Sequence, residues 1–135
     1  MTPGELLSRD ALKWLGQAGK DRIAAQALLE AEPSRSVFHS QQAAEKALKG
    51  FLTYRQVAFR RTHDLTDLGT QCLVVDATLE PILREVEGLT DYATAFRYPD
   101  APWVGLVFRW VRVCYFFGVG FGALVGRECD PWGWR

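Results

Sequence analysis

The sequence predicts an all-α fold, an up-and-down bundle of four to five helices, from three observations. Apolar residues recur at spacings of three and four in four successive segments, which is the repeat of one face of an α-helix. Prolines lie between the first and second segments and at the start and end of the fourth, and no stretch shows the period-two alternation of a β-strand. The 135 residues, of which 48% are hydrophobic and 24% are charged, fit a single domain over residues 1–135 with one hydrophobic core.

The first two helices have the clearest apolar stripes. The first is predicted from about Leu6 to Ala31 and ends before Pro33, because proline lacks a backbone donor. The second begins with a cap at Ser34 or Ser36 and reaches about Val57. The two stripes consist of Ala11, Trp14, Leu15, Ala18, Arg22, Ala25 and Leu29 in the first helix, and of Val37, Ala44, Leu48, Phe51 and Leu52 in the second.

Two further helices follow a short loop. Thr62 or Asp64 is expected to cap a third helix that runs to about Leu73. Pro81 suits the first turn of a fourth helix, which ends at the two prolines of residues 98–102. Short connections between helices of similar length favour antiparallel neighbours, and hence an up-and-down bundle.

The C-terminal segment, residues 103–135, differs in composition from the rest of the chain. Between Trp103 and Gly126 its only charged residues are Arg109 and Arg112. The apolar run at residues 113–125 has thirteen residues, whereas a membrane-spanning helix needs about twenty. Three interpretations remain open: a fifth helix in the bundle, an apolar surface for dimerisation, or an altered reading frame.

Composition and charge indicate a soluble, cytoplasmic protein. Sixteen basic residues balance sixteen acidic ones, but residues 45–61 contain five basic residues and one acid. This segment is either a phosphate-facing patch or an ordinary solvated surface. The three cysteines form no metal-binding pattern, so we expect reduced, inert thiols and no metal site. The charged N-terminus also argues against a secretion signal.

Residues 38–49 carry the most informative polar pattern. On a helical wheel Gln41 falls at the centre of the apolar face, where its amide requires a hydrogen-bond partner. A second set, Gln42, Glu45 and Lys49, forms a row on one flank, while His39 and Lys46 point farther outward. Gln41 has a simple structural interpretation, a hydrogen bond between two helices. The flank is either a set of helix-surface pairs or the wall of a groove that binds phosphate and reads a base.

Two loop or helix-end residues could take part in chemistry. His63 could act as a general acid or base, because histidine exchanges protons readily near neutral pH. Arg97, at the end of the fourth helix, could pair with the last helix carbonyls or bind phosphate. The chain contains no phosphate-binding glycine loop, dinucleotide fingerprint, zinc-protease motif or nucleophile elbow.

Four motifs in order give the chain its resemblance to a known family. They are A-x-x-W-L at residues 11–15, H-x-Q-Q-A-A-E-K-A-L-K at 39–49, T-H-D-L at 62–65 and R-Y-P at 97–99. In this order and at these separations they resemble the bacterial and archaeal HEPN domain proteins, over roughly residues 6–102. The resemblance implies a helical bundle that is commonly dimeric and frequently paired with a minimal nucleotidyltransferase in a toxin–antitoxin-like system.

Many HEPN proteins are metal-independent ribonucleases with an arginine, four to six intervening residues and a histidine, and that spacing is missing here. Three residues separate Arg35 from His39, two separate Arg60 from His63, and no histidine follows Arg97. We therefore expect a non-catalytic or weakly catalytic homodimeric protein that needs no cofactor, binds a nucleotide or RNA and partners a nucleotidyltransferase. The alternatives are a ribonuclease toxin, for which His63 is the catalytic candidate, and a dimeric helical interaction module. The expected binding residues are Gln42, Lys46, Lys49, His63, Arg97 and Tyr98.

Overall fold

The described part of the chain is an antiparallel pair of long helices with a shorter helix packed against the second. The computed structural model describes residues 2–81, 83 and 84. Its elements are α1 (Pro3–Leu28), α2 (Pro33–Tyr54), α3 (Leu65–Val75) and a short 3₁₀ helix (Ala77–Leu79). The predicted all-α fold is confirmed, and these ranges contain no strand.

Helix α1 begins three residues earlier than the apolar stripe indicated, because a capping box precedes the stripe. The Thr2 hydroxyl accepts a hydrogen bond from the Glu5 amide, and the Glu5 carboxylate accepts one from the Thr2 amide at 2.7 Å. The hydrogen bond from the Thr2 amide, and after it the interaction with the Thr2 side chain, lowers the pKa of the Glu5 carboxyl. Pro3 then occupies the first helical position, where its missing amide proton costs nothing.

Helix α2 begins without the serine cap that the sequence predicted. Pro33 itself opens the helix after Glu32, and no side chain caps the N-terminus. Ser36 therefore lies inside the first turn, fully buried, and its hydroxyl donates a 2.6 Å hydrogen bond to the carbonyl of Ala25. This bond ties α1 to α2. The helical wheel had assigned that function to Gln41, whose side chain is only half-buried in the structure.

Small side chains allow α1 and α2 to approach closely. Ala11, Ala18 and Ala25, seven residues apart, are buried on α1. A matching row of small buried residues lies on one face of α2: Ser36, Ser40, Ala43, Ala47 and Gly50. A methyl group at Gly50 would lie 3.1 Å from Cβ of Trp14 and 3.4 Å from the carbonyl oxygen of Ala11. At this point the helices touch almost backbone to backbone.

Helix α2 ends in a Schellman motif that has a glutamine in the place usually taken by glycine. Gln56 has φ of 60°, and its amide donates to the carbonyl of Thr53 at 3.1 Å. The Val57 amide donates to the carbonyl of Leu52 at 2.9 Å, and both of these apolar side chains pack into the core. The helix thus stops at Tyr54 rather than near Val57.

Helix α3 has the predicted N-terminal cap at Asp64, whose carboxylate accepts a 2.9 Å hydrogen bond from the Thr66 amide. Its buried face packs on α2, where Cys72 lies 4.0 Å from the carbonyl of Leu48. Burial raises the pKa of the Cys72 thiol to about 12, which supports the expectation of an inert thiol at this position. The core beneath α1, α2 and α3 consists of Leu15, Leu48, Phe51, Leu52, Leu65, Leu68, Cys72 and smaller neighbours.

The predicted fourth helix is described only at its start. Pro81, Leu83 and Arg84 are helical, which agrees with a helix that begins near Pro81. The remainder of that helix and the C-terminal segment, residues 103–135, lie outside the described residues. None of the described helices has the combination of length and apolar character that a membrane span requires.

Two glycines in helix interiors give a direct test of the close α1–α2 contact. Gly16→Ala places a methyl group where no atom lies within 4 Å, so it should gain about 1 kcal/mol from helix propensity. Gly50→Ala gains the same propensity but must push Trp14 and Ala11 away, so it should be the less stable variant. Urea unfolding of both variants measures the difference, and equal stabilisation would contradict the close contact.

Candidate functional site

A buried ion pair lies on the flank of α2 that the sequence singled out. The side chains of Glu45 and Lys49 are 4% and 9% exposed, and the ammonium donates to Glu45 Oε1 at 2.7 Å. The Lys49 nitrogen also lies 5.6 Å from the centre of the Trp14 ring, at cation–π distance. Lys49 is thus held inside the structure by a carboxylate and an indole, and its charge is neutralised there.

His63 is bound to the same carboxylate oxygen from the loop before α3. Its Nδ1 lies 2.9 Å from Glu45 Oε1, although 85% of its side chain is exposed. An ionised carboxylate oxygen can only accept, so Nδ1–H is the donor. In the neutral ring this tautomer leaves the lone pair on Nε2, the nitrogen available to a ligand. A buried carboxylate therefore orients a histidine that solvent reaches.

The second oxygen of Glu45 is buried and has no hydrogen-bond partner within residues 2–81, 83 and 84. Buried polar atoms usually have a partner, and an unsatisfied one costs about 1–3 kcal/mol. The carboxylate consequently retains accepting capacity on one oxygen while Lys49 and His63 share the other.

A second charged cluster joins α1 to α2 on the neighbouring border of the helix. The Asp21 carboxylate accepts from Nδ1 of His39 at 2.9 Å and from the ammonium of Lys46. The side chains of these three residues are between 13% and 30% exposed, so water screens them only partly. Phe38, which is 52% exposed, contacts the His39 ring edge to face at 5.4 Å. His39 and Lys46, which the wheel pointed outward, instead face a carboxylate on α1.

The structure brings some of the expected binding residues together and separates others. His63 and Lys49 meet at Glu45, whereas Lys46 belongs to the Asp21 cluster. Gln42 is half-buried, one turn before Glu45. Arg97 and Tyr98 lie outside the described residues.

Sequence reasoning missed the central position of Glu45 and the contribution of Asp21. The spacing of four between Glu45 and Lys49 was visible as a helix pair, but nothing in the sequence indicated that the pair is buried. The available signal was the row of small residues on α2, which places the neighbouring helix beside Lys46 and His39.

Within the described ranges, no group of three or more histidine, cysteine, aspartate or glutamate side chains could hold a metal ion.

Comparison with known proteins identifies one family. A family model described as HEPN domain matches residues 11–103, which include α1 from Ala11 onward, α2, α3 and all four motifs. No curated protein and no solved structure matches the chain.

The buried pair predicts a pattern of stabilities. Lys49→Met leaves the Glu45 charge buried without its cation, and Glu45→Met leaves Lys49 without its anion. Each single variant should lose about 3–5 kcal/mol, whereas the double variant should lie close to the parent protein. Lys13→Met breaks an exposed pair with Asp10 and should cost about 0–1 kcal/mol. Urea unfolding measures all four; losses that simply add in the double variant would rule out a coupled buried pair.

Proposed function

Because the chain belongs to the HEPN domain family, we propose that it binds a nucleotide or RNA segment as the partner of a minimal nucleotidyltransferase. Membership relates the chain to nucleotide- and RNA-handling helical proteins at the level of the family. The proposed setting is a toxin–antitoxin-like system in the cytoplasm, in which this chain forms a homodimer and takes no cofactor. HEPN domains often dimerise, which supports the proposed homodimer.

The observation that carries the proposal is the presentation of His63. Its side chain is 85% exposed, but Glu45 fixes its ring by a hydrogen bond from a position that is 4% exposed. An exposed side chain normally loses rotamer freedom when it binds a ligand, at a cost of about 0.5–1.5 kcal/mol. His63 is already oriented, so it can contact a phosphate, a ribose hydroxyl or a base edge at lower cost.

The other proposed contacts are two residues of α2 and two residues beyond the described part of the chain. Gln42, three residues before Glu45 on α2, supplies an amide that can both donate and accept. Lys46 contributes positive charge at the border of the same helix, although Asp21 offsets part of it. Lys49 acts by holding Glu45 in place, while Arg97 and Tyr98 are proposed to complete the site.

Replacement of His63 should weaken binding without unfolding the chain. His63→Ala removes an exposed ring and leaves the Glu45–Lys49 pair intact, so affinity for labelled ATP or a short RNA should fall by about tenfold, the equivalent of 1.4 kcal/mol. Fluorescence anisotropy measures the loss, first with the protein alone and then with a minimal nucleotidyltransferase added as the proposed partner.

The matched control is His39→Ala, since His39 also donates to a carboxylate but lies in the other cluster. This control should bind as the parent protein does. If neither ATP nor RNA binds the parent protein, alone or with its partner, the proposal is wrong and a purely structural interaction module becomes the better account.

A metal-independent ribonuclease is the second candidate, and the His63–Glu45 pair favours it. A histidine whose Nδ1 is held by a carboxylate has its Nε2 set to take or give a proton, as in hydrolases that use a histidine base. The missing arginine–histidine spacing counts against this activity, since an arginine must reach the same phosphate from elsewhere.

The ribonuclease candidate makes a distinct prediction. RNA cleavage should proceed in EDTA, His63→Ala should abolish it, and Glu45→Gln should slow it by weakening the orientation of the ring. His39→Ala serves again as the control. Product formation on a denaturing gel measures each rate, and activity that needs a metal or survives His63→Ala would contradict this candidate.

A further inference from the structure

The loop between α2 and α3 carries two arginines that no described acid neutralises. Arg60 and Arg61 are both exposed, and within residues 2–81, 83 and 84 neither takes part in a salt bridge. The other basic residues of segment 45–61 are engaged: Lys46 pairs with Asp21, and Lys49 with Glu45. Arg55 lies over the Phe51 ring, and its charge adds to the hydrogen bonds from Thr78 that chiefly lower the pKa of Asp76. The positive charge of the segment is therefore concentrated at Arg60 and Arg61.

A groove adjoins this loop through a contact between two aromatic rings. It has a volume of about 340 Å³ and lies between α1 and the end of α2, lined by Asp10, Lys13, Trp14, Gln17 and Thr53. Trp14 packs edge to face against Phe59 at 6.2 Å, and Phe59 directly precedes Arg60. The groove and the two arginines are thus joined through the contact of Trp14 with Phe59.

The chemistry of the groove fits a nucleobase. Trp14 offers an aromatic surface for stacking, and stacking on an aromatic side chain contributes to single-strand binding whatever the base. Around it, the Asp10 carboxylate accepts hydrogen bonds, the Lys13 ammonium donates, and the Gln17 amide does both. A base edge carries donors and acceptors side by side, which this set of groups can match.

We propose that Arg60 and Arg61 bind the phosphates of single-stranded RNA while the groove beside Trp14 takes an adjoining base. This inference rests on the proposed nucleotide- or RNA-binding function and places an RNA-binding surface at residues other than those around His63. RNA is favoured over an acidic protein partner because a base-sized aromatic groove adjoins the unneutralised charge.

The test uses the full-length chain and a labelled ten-nucleotide RNA, with affinity measured by anisotropy over a range of salt concentrations. Arg60→Glu/Arg61→Glu should lower affinity by about tenfold or more and reduce the slope of log K against log salt by at least about 1.4, because about 0.7 counterions are released for each phosphate neutralised on a single strand. The charge control is Arg35→Glu, an exposed arginine in the first turn of α2, at the end of the helix away from the loop. It should change affinity by less than about twofold.

The groove is tested separately by a neutral substitution and by a modified ligand. Gln17→Ala should weaken RNA binding by about threefold and leave the salt slope unchanged, since no charge is lost. An abasic strand of the same length should bind less tightly than RNA and should not distinguish Gln17→Ala from the parent protein. An abasic strand that binds as tightly as RNA would overturn the assignment of the groove.

Three results separate the failure of this inference from the failure of the proposed function. If RNA or ATP binds but the double arginine variant keeps both affinity and salt slope, the surface is wrong and the function stands. If that variant instead loses only its complex with the nucleotidyltransferase, the arginines serve an acidic protein partner and the RNA proposal is overturned. If neither ligand binds the parent chain, the function itself fails.

Discussion

The close approach of α1 and α2 is the constraint on which the rest of the described structure depends. Rows of alanine, serine and glycine let the two helices meet with little side-chain bulk between them, and at Gly50 a single methyl group already meets its neighbours. Because α1 then occupies one border of α2, charged side chains at that border meet α1 rather than water. Asp21 neutralises Lys46 and His39 for this reason. Glu45 and Lys49 form a separate pair on α2, in which Lys49 lies against the Trp14 ring of α1 and Glu45 binds His63 from the loop.

The features that could be predicted from the sequence are those governed by local rules. The apolar stripes identified α1 and α2, and Asp64 identified the start of α3, because helical periodicity and capping involve residues only a few positions apart. The serine cap of α2 was wrong because Pro33 already serves at the first position and Ser36 has a partner on another helix. Glu45 could not be recognised as the shared partner of Lys49 and His63, since its meeting with His63 depends on how the loop folds back over α2.

The partner of each charged residue must be identified before the charge of a segment can indicate a ligand. The five basic residues of segment 45–61 suggested a broad positive patch, but the structure distributes them among distinct environments. One is buried with its anion, one is shared with α1, and one stacks on an aromatic ring. A net charge of zero therefore coexists with a short positive stretch at Arg60 and Arg61. The proposed RNA contact therefore rests on the distribution of the charge rather than on its total.

The connection between α2 and α3 is fixed independently at its two ends, and this affects how the chain can change in evolution. The Schellman motif at Gln56 and Val57 fixes its start, while His63 and the Asp64 cap fix its end. Residues added between Phe59 and Thr62 would leave both anchors, the contact of Phe59 with Trp14 and the register of both helices unaltered. Each doubling of loop length costs only about 0.6 kcal/mol in closure entropy. This stretch, which contains both unneutralised arginines, is thus where insertions could extend the reach of the loop while the helical scaffold stays the same.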